Sequence, residues 1–409
     1  MLTFSPSFNK EITLNDLRKA LIGYIVSKKD QDNFIFTIDD TKEVKEAFDR
    51  ENIDILKKFA IEAEQTIYRS KNKNIYQNLA LKLLQEKKAF VCFCNSTTNC
   101  KNSCAKLSQE EISRLKDNNT PFNIKVFKPK NNIVLNDKID GVKIIEIKSM
   151  DEFTILDSKA EASDIFVKAS DCMLFAINSV IEDSSKIEDS AKILYILNLL
   201  DYNEKVEFIH LPLLQKSEDI TIKSLFKQGF LPDTIINYLI STIIDIDKKI
   251  FYLPEAINRF ENDLFIQKDT KFNIDILKDL NRKHLQLMDD KKLSSIFGFA
   301  DSNIGKIAKE FLNEASTINE LISALKDIFS TKDCSNRLVK DVIEVIQKAP
   351  YINDFNKFKA YIEKNSDIKE DELQDILREI LIGSKNSNID LEKIYKLINP
   401  YLLEVAKCQ

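Results

Sequence analysis

Four cysteines stand close together in the first quarter of the chain and have the spacing of metal ligands. Cys92, Cys94, Cys100 and Cys104 follow the pattern C-x-C-x5-C-x3-C, whose short gaps let one loop bring four thiolates around a single ion. Zinc is the ion that four thiolates hold tetrahedrally, and four protein ligands leave no position for a reacting water. The spacing therefore predicts a structural zinc site. The alternative is a set of free thiols in a lysine-rich loop.

The other side chains that could do chemistry are few, and each has a structural explanation. Asp39 and Asp40 form a carboxylate pair, but their place at a strand end favours a turn role or a role beside a ribose. His210 and His284 are expected to be structural side chains rather than bases, so a Ser/His/Asp triad has little material to work with. The remaining cysteines are expected to be isolated packing or surface thiols: Cys172, Cys334 and Cys408.

The composition is that of an ordinary folded protein with two scarcities. The chain has six glycines, and eight arginines against 52 lysines. Phosphate-binding loops use glycine because it lets the backbone approach the phosphate closely, and arginine binds phosphate or carboxylate with two hydrogen bonds. Both residue types are scarce in this chain. The net charge of -5 neither requires nor excludes the binding of nucleic acid. The sequence has no apolar run of 18 residues, and we expect a cytoplasmic monomer that does not enter a membrane.

The elements that must position these residues alternate at the start of the chain. Residues 2–5 and 33–38 are predicted strands, and residues 13–28 form an amphipathic helix with Thr13 as its N-cap. Helical stretches follow at 42–60 and 72–87. This βαβ order predicts a parallel sheet of the doubly wound kind.

The rest of the chain divides into an interruption, a return of the alternation and a helical end. Residues 89–157 have the pattern of an inserted α+β module, with a helix at 108–117 and β-like runs at 122–127, 142–148 and 152–157. Helices and strands alternate again over 163–246, with a buried strand end at 208–214. From residue 247 to Gln409 the pattern predicts a helix bundle.

Several runs in this order resemble segments of the bacterial glutamyl-tRNA synthetases, which are class I aminoacyl-tRNA synthetases. The similar runs are FSPSFNKEITLNDLRKAL (4–21), FTIDDT (36–41), the run from 68 to 94 that leads into the cysteines, EFIHLPLL (207–214), FKQGFLPDTIINYL (226–239) and FNIDILKDLNRKHLQLM (272–288). Their order and spacing cover nearly the whole chain.

The resemblance implies an α/β plus all-α architecture. It implies a Rossmann-like class I synthetase catalytic domain in two halves (1–88 and 161–246), separated by an acceptor-stem-type insertion with the zinc site (89–160). A stem-contact-like helical domain (247–315) and an anticodon-binding-like bundle (316–409) would follow. Many glutamyl-tRNA synthetases bind zinc with Cys-x-Cys and a later Tyr-x3-Cys, and Cys100 stands in the place of that tyrosine.

Both catalytic signatures of the family are altered in this chain. Where the family has its HIGH tetrapeptide, this sequence has Thr13, Leu14, Asn15 and Asp16. The histidines that would bond the triphosphate are absent, and Asp16 would repel phosphate.

The segment of the KMSKR loop is altered as well. Between Leu214 and Leu225 the chain has QKSEDITIKS, about eight residues fewer than the family segment, with Lys216 and Lys223 as the remaining cations. We therefore expect adenylate formation to be severely impaired and do not expect ATP to serve as a working substrate.

The positions that would recognise glutamate are changed too. The arginines of the family's first strand, second strand motif and Val-Ile-Arg-Gly-Glu-Asp segment align with Thr3, Thr37 and Glu182, and its Tyr-x-Tyr pair aligns with Asp164 and Phe166. A carboxylate in place of a cation turns attraction for glutamate into repulsion of about 1 kcal/mol or more. These positions are expected to be vestigial.

Three hypotheses follow. The first is a divergent synthetase paralogue that has lost glutamate activation and tRNA charging but still binds tRNA or a protein partner. The second is an active glutamate–tRNA ligase with an altered ATP and glutamate site. The third is an interaction or scaffold protein without an RNA ligand.

Overall fold

The computed structural model describes residues 1–4, 11–41, 47–94, 100, 104–146, 148 and 150–409. The end of the predicted strand at 2–5, part of the run at 4–21, the start of the helical stretch at 42–60 and most of the loop between Cys94 and Cys104 lie outside these residues. The chain divides into two compact units, Met1–Lys223 with Ile236–Phe272, and Ser224–Ile235 with Asn273–Gln409. The finer five-part division predicted from the sequence stays a prediction.

Parallel strands form the centre of the first unit. The strands in chain order are β1 Leu2–Phe4, β2 Phe34–Ile38, β3 Gln65–Tyr68, β4 Ala89–Cys92, β5 Asn123–Val126, β6 Ile133–Asp137, β7 Gly141–Ile145, β8 Phe153–Leu156, β9 Ser179–Asp183, β10 Glu207–Leu211, β11 Leu214–Gln215 and β12 Thr270–Lys271. Among the described residues, one sheet has the order β3-β2-β1-β9-β10-β6-β7 and is parallel from β3 to β6. The expected doubly wound sheet is confirmed.

Helices connect these strands and continue through the second unit. They are α1 Leu14–Lys29, α2 Ala47–Lys58, α3 Arg69–Gln85, α4 Gln109–Asp117, α5 Asp164–Leu174, α6 Ile187–Leu199, α7 Ile222–Lys227, α8 Pro232–Ser241, α9 Leu253–Arg259, α10 Ile274–Leu287, α11 Asp290–Ile296, α12 Ser302–Glu310, α13 Ile318–Phe329, α14 Arg337–Lys348, α15 Phe355–Asn365, α16 Glu370–Ile382, α17 Leu391–Ile398 and α18 Leu402–Val405. No helix in the described ranges is both long enough and apolar enough to cross a bilayer.

Helix α1 lies tightly against the start of the sheet. Its buried positions include Leu17, Leu21 and Ile25, one apolar face of the kind that the sequence period predicts. A Cβ at Gly23 would come within 2.8 Å of the Phe34 ring and 2.9 Å of the Leu2 side chain. Glycine therefore permits the close approach of α1 to the first residues of β1 and β2.

The cysteine-bearing module is smaller than the sequence indicated. Strands β4, β5 and β8 form a three-stranded antiparallel sheet. The β-like run at 142–148, which we expected in this module, corresponds to β7, and β7 pairs with β6 at the edge of the main sheet. The expectation was wrong because β6, whose Leu135 is fully buried, was not recognised as the strand that carries this hairpin into the main sheet.

The second unit is helical, as predicted. Its core is formed by apolar faces of α10 to α18, with Leu325, Val342, Phe358, Leu377 and Tyr395 all buried. Helix α16 ends at Gly383, whose φ of +81° is a left-handed conformation that glycine adopts without strain.

Two cysteines that we expected to be isolated are joined. Cys334 and Cys408 form a disulfide across a sequence separation of 74 residues. The amide of Gln409 donates to the carbonyl of Lys332 at 3.1 Å and thus holds the last residues beside that segment. The expectation was wrong because sequence spacing does not report contacts between segments this far apart.

Candidate functional site

The carboxyl ends of the central strands form the part of the first unit where a ligand would be expected. Strand β1 pairs with β2 on one side and with β9 on the other, so the chain order reverses between β1 and β9. In open α/β sheets the crevice at such a reversal is the usual ligand site. Thr3, Thr37 and Glu182 lie at or near the carboxyl ends of these three strands.

The structure brings these three residues together around one cavity. The cavity is small, with a volume of about 10 Å³, and Lys168 and Asp171 of α5 also line it. The geometry therefore places side by side three positions that are 34 and 145 residues apart along the chain. Lys168 and Asp171 were not singled out in the sequence, because no local pattern shows that α5 faces this crevice.

An ion pair occupies part of the cavity. The ammonium group of Lys168 donates a short hydrogen bond to the carboxylate of Glu182, and the Glu182 side chain is 13% exposed. Lys168, the cation beside these strand ends, is therefore already paired with the Glu182 carboxylate. The hydroxyl of Thr3 is buried and has no hydrogen-bond partner among the described residues.

A second carboxyl group in the cavity wall is largely removed from water. Burial raises the pKa of Asp171 to about 7, although a hydrogen bond from Tyr76 and the charge of Arg69 act in the opposite direction. The Tyr76 hydroxyl donates to Asp171 Oδ1 at 2.7 Å, and burial raises the pKa of this phenol as well. The carboxyl group of Asp171 therefore titrates near neutral pH.

Asp164 does not join this group. Its carboxylate accepts a hydrogen bond of 2.6 Å from Arg69 at the start of α3, while Phe166 is fully buried in the core. The same guanidinium donates to Asp39 at 3.1 Å. Asp40 accepts from the amide of Ser70 at 2.8 Å. Asp39, Asp40 and Asp164 therefore fix the start of α3, which agrees with a turn role.

The first turn of α1 is capped from within the chain. The amide of Asp16 donates to the Thr13 hydroxyl at 3.3 Å, and the Thr13 amide and hydroxyl donate to Asp16 Oδ2 at 3.0 and 2.6 Å. Thr13 and Asp16 are both buried, Leu14 is fully buried, and Asn15 is partly exposed. A helix amino terminus binds anions through its amides, but here a carboxylate of the same turn is already present.

The segment after β10 closes directly onto this turn. The amide of Leu14 donates to the carbonyl of Ile220 at 3.0 Å, and the amide of Ile222 donates to the carbonyl of Ile12 at 3.0 Å. Thr13 and Thr221 form an antiparallel bridge between these hydrogen bonds. The two segments that the resemblance assigns to ATP binding are therefore held together by main-chain bonds.

The two lysines of the shortened segment differ in their surroundings. Lys223 forms ion pairs with Glu51 and, at 3.5 Å, with Glu11. Lys216 is exposed, has a φ of +63° and makes no ion pair within the described ranges. Lys216 is thus the cation of this segment that remains open to a ligand.

A buried arginine ties this region together. Arg18 of α1 donates to the carbonyl of Pro212 and, at 3.1 Å, to the hydroxyl of Thr242. Burial lowers the pKa of Arg18 to about 10, and nearby Asp183 and Asp269 partly offset this effect. Arg18 therefore remains charged at neutral pH and positions the end of β10 against α1.

The four cysteines of the first-named motif form a compact cluster. The sulfur atoms of Cys92, Cys94, Cys100 and Cys104 all lie within 4.8 Å of one another. Cys94 Sγ is 3.8 Å from Cys100 Sγ and 3.6 Å from Cys104 Sγ. A tetrahedral zinc with Zn–S bonds of about 2.3 Å needs sulfur separations of about 3.8 Å, so the cluster fits this ion.

Burial disfavours the thiolate form at two cysteines of this cluster. Burial raises the pKa of Cys104 to about 12 and also raises the pKa of Cys92. Strand β4 supplies Cys92, and a short 3₁₀ turn at Cys104–Lys106 begins at the last cysteine. A zinc ion would take the place of these protons and hold the thiolates.

Both histidines are buried, as expected for structural side chains. His210 Nδ1 forms a short hydrogen bond with Asp137, and His210 Nε2 lies 2.9 Å from the Ser190 hydroxyl. This Ser/His/Asp arrangement is buried at all three residues and connects β10, β6 and α6, so it serves packing. Burial lowers the pKa of His284 in the second unit.

Comparisons with known proteins agree with this architecture. The sequence model described as tRNA synthetases class I (E and Q), catalytic domain, matches residues 2–279. The chain is similar to Glutamate--tRNA ligase 2 of Sulfurovum sp. (strain NBC37-1), with 37% identity over 99% of this chain and 100% of the relative. It is also similar to Glutamate--tRNA ligase 2 of Sulfurimonas denitrificans, with 34% identity over 100% of both chains.

A solved structure gives the same result for the fold. A glutamate tRNA ligase from Elizabethkingia meningosepticum, crystallised in complex with its amino acid, has a TM-score of 0.81 and 17% identity. The similarity covers 99% of this chain and 98% of that one. The likeness therefore extends through both units.

Proposed function

The chain belongs to the glutamyl-tRNA synthetase family of class I synthetases, and from this premise we propose that it has lost glutamate activation and tRNA charging. In this proposal the protein is a non-catalytic member that still binds tRNA or a protein partner. Because its relatives are named as tRNA ligases, the proposal places it in the cytoplasm with the tRNA pool.

One observation carries the proposal. The Leu14 amide, at the position where the family has its HIGH signature, is bonded to the Ile220 carbonyl of the shortened loop. ATP would have to enter between these two segments, and its triphosphate needs free donors at the start of α1. Opening the contact would break main-chain hydrogen bonds, and the phosphates would then face the buried carboxylate of Asp16.

The glutamate cavity supports the same proposal. Substrate glutamate would need cations for its carboxylates, and Lys168 is already paired with Glu182. Binding would have to break this ion pair and bring further negative charge beside Glu182 and Asp171. The free energy needed to break this ion pair would weaken the binding of glutamate itself, before any transition state is reached.

We propose further that the cysteine cluster holds one structural zinc. Cys92, Cys94, Cys100 and Cys104 would be the four ligands, and the ion would fix the fold of the module around β4, β5 and β8. The donor type, the burial and the sulfur separations support this assignment.

A second candidate function is an active glutamate–tRNA ligase with an altered site. The full-length similarity to relatives that are named as glutamate–tRNA ligases favours it. In that case Lys216, the open cation of the short segment, would supply the charge that the phosphates need. This candidate requires measurable charging of some tRNA.

The retained function can be tested by RNA crosslinking in the native host. We expect the crosslinked, purified protein to carry one enriched tRNA species when its RNA is sequenced. Absence of RNA at low salt would reject tRNA binding and leave the protein-partner form or the scaffold hypothesis. Enriched tRNA together with aminoacylation would favour the active ligase instead.

A further inference from the structure

The hairpin of β6 and β7 exposes an apolar face at the edge of the main sheet. Val134 is opposite Ile144, and Asn136 is opposite Val142. Val134, Val142 and Ile144 are 56%, 67% and 64% exposed. Three of the four side chains on this face are thus β-branched apolar groups in contact with solvent.

The opposite face of the same hairpin is already used by the core. Ile133 and Ile145 pack against the apolar core of the first unit, and Leu135 is fully buried. An antiparallel pair with one face on the core normally has polar residues on the other. Among the described residues, strand β7 is moreover an edge strand, and exposed apolar edges are sites of association.

A lysine-rich cleft lies next to this face and shares Val134 with it. The cleft has a volume of about 1180 Å³ and is lined by five lysines against two glutamates, namely Lys87, Lys88, Lys128, Lys130, Lys205, Glu152 and Glu204. Lys87 and Lys130 make no ion pair within the described ranges. The acid nearest to Lys128 is Asp151 at 3.9 Å, whereas Lys88 is paired with Glu86 and Asp201, and Lys205 with Glu207.

We propose that this face and cleft form a docking surface for an acidic segment of another protein. The segment would pair with the open edge of β7, cover Val142 and Ile144 with apolar side chains, and direct its carboxylates to Lys128 and Lys130. The surface lies at the amino-terminal end of β10, because Lys205 and Val206 line the cleft, and so it is separate from the Glu182 cavity at the carboxyl ends.

Two other occupants fit the surface less well. A second copy of this chain, paired through β7, would bring two sets of these lysines close together, which costs electrostatic energy. RNA would match the lysines, but a patch of β-branched side chains provides neither phosphate contacts nor stacking platforms. The apolar face beside the charges therefore favours an acidic polypeptide.

The test places a photocrosslinking benzoylphenylalanine at position 142 of the full chain in its native host. The same group at position 351 is the matched control, because Tyr351 is 73% exposed and lies in the second unit. We expect an RNase-resistant crosslink from position 142 to a protein segment rich in Asp and Glu. The control should not give this crosslink.

Binding of the identified partner, purified, is then measured. Ile144→Asp should weaken it about tenfold, and Lys128→Glu with Lys130→Glu should weaken it by a similar factor. Raising the salt should weaken binding to the unchanged protein and have less effect on the lysine variant. Lys128→Gln with Lys130→Gln is the milder variant, and thermal unfolding checks that each variant is folded.

Several outcomes would overturn the proposal. They are a crosslink to a second copy of the chain, a crosslink that RNase removes, no crosslink at position 142 beyond the control, or a partner whose affinity the lysine variants do not change.

Discussion

The main-chain amide of Leu14 donates a hydrogen bond of 3.0 Å to the carbonyl of Ile220. This bond joins the first turn of α1 to the segment after β10, the two segments that the resemblance assigns to ATP binding. Asp16 adds a buried carboxylate to the same turn. In the proposed function, the region that would receive phosphate is closed by this backbone contact and contains the Asp16 carboxylate.

The capping box of α1 predicts a loss of stability when Asp16 is replaced. Asp16→Ala removes the acceptor of two hydrogen bonds from Thr13 and should lower the free energy of unfolding by about 1 kcal/mol. Glu111→Ala is the matched control, because Glu111 has the same place in the Ser108 capping box of α4 but is exposed. Urea unfolding should show a smaller loss for the control. Equal losses would mean that the buried box is not formed in solution.

The ion pair in the cavity predicts a coupling between Lys168 and Glu182. Lys168→Met and Glu182→Gln, alone and combined, form a double-mutant cycle, and we expect a coupling of about 1 kcal/mol because both side chains are partly shielded from water. The measurement is urea unfolding of the four proteins. Additive effects would show that Lys168 is not held in the cavity by Glu182.

The raised pKa of Asp171 predicts a pH-dependent gain from its replacement. The pKa of this carboxyl group is about 7 in the folded state and 3.8, the ordinary value, in the unfolded state. While the group is protonated in both states, it does not lower the free energy of unfolding. The cost grows as pH rises from about 4 to about 7 and is constant above that. Asp171→Asn should therefore raise the free energy of unfolding by about 4 kcal/mol at pH 8 and change it little at pH 4. Denaturant unfolding at both pH values measures this difference, and an equal effect at both would contradict it.

The cysteine cluster predicts about one zinc per chain in protein purified under reducing conditions. Cys104→Ser should release most of the metal and destabilise the module around β4, β5 and β8. Cys172→Ser is the control, because Cys172 is buried elsewhere in the core and should leave the zinc content unchanged. Elemental analysis gives the result directly. Much less than one zinc in the unchanged protein would reject the site.

The sequence predicted local features better than long-range ones. The period of Leu17, Leu21 and Ile25 located α1, and the cysteine spacing located the cluster, because both patterns depend on neighbours along the chain. Lys168 and Asp171 were missed, since their place in the cavity depends on how α5 packs beside β9. The pairing of Cys334 with Cys408 and the place of β7 in the main sheet were missed for the same reason, because sequence periodicity does not encode long-range register.

The resemblance to the glutamyl-tRNA synthetases predicted pocket positions that the residue pattern alone did not indicate. It identified Thr3, Thr37 and Glu182 as positions of one pocket, and the structure places them around one cavity. It also aligned Asp164 with a pocket residue, and this side chain instead pairs with Arg69 outside the cavity. Whether the first three residues have any remaining role in binding stays a prediction.

The central claim is tested most directly by glutamate-dependent ATP–pyrophosphate exchange with the purified full-length chain, in the presence and absence of bulk tRNA. An intact glutamate–tRNA ligase, measured in parallel, shows that the assay works. We expect no exchange above the rate without enzyme, because the contact between Leu14 and Ile220 and the carboxylate of Asp16 exclude the triphosphate. Robust exchange that depends on glutamate would contradict the account, and its loss in Lys216→Ala would assign the phosphate-binding cation of the active-ligase candidate.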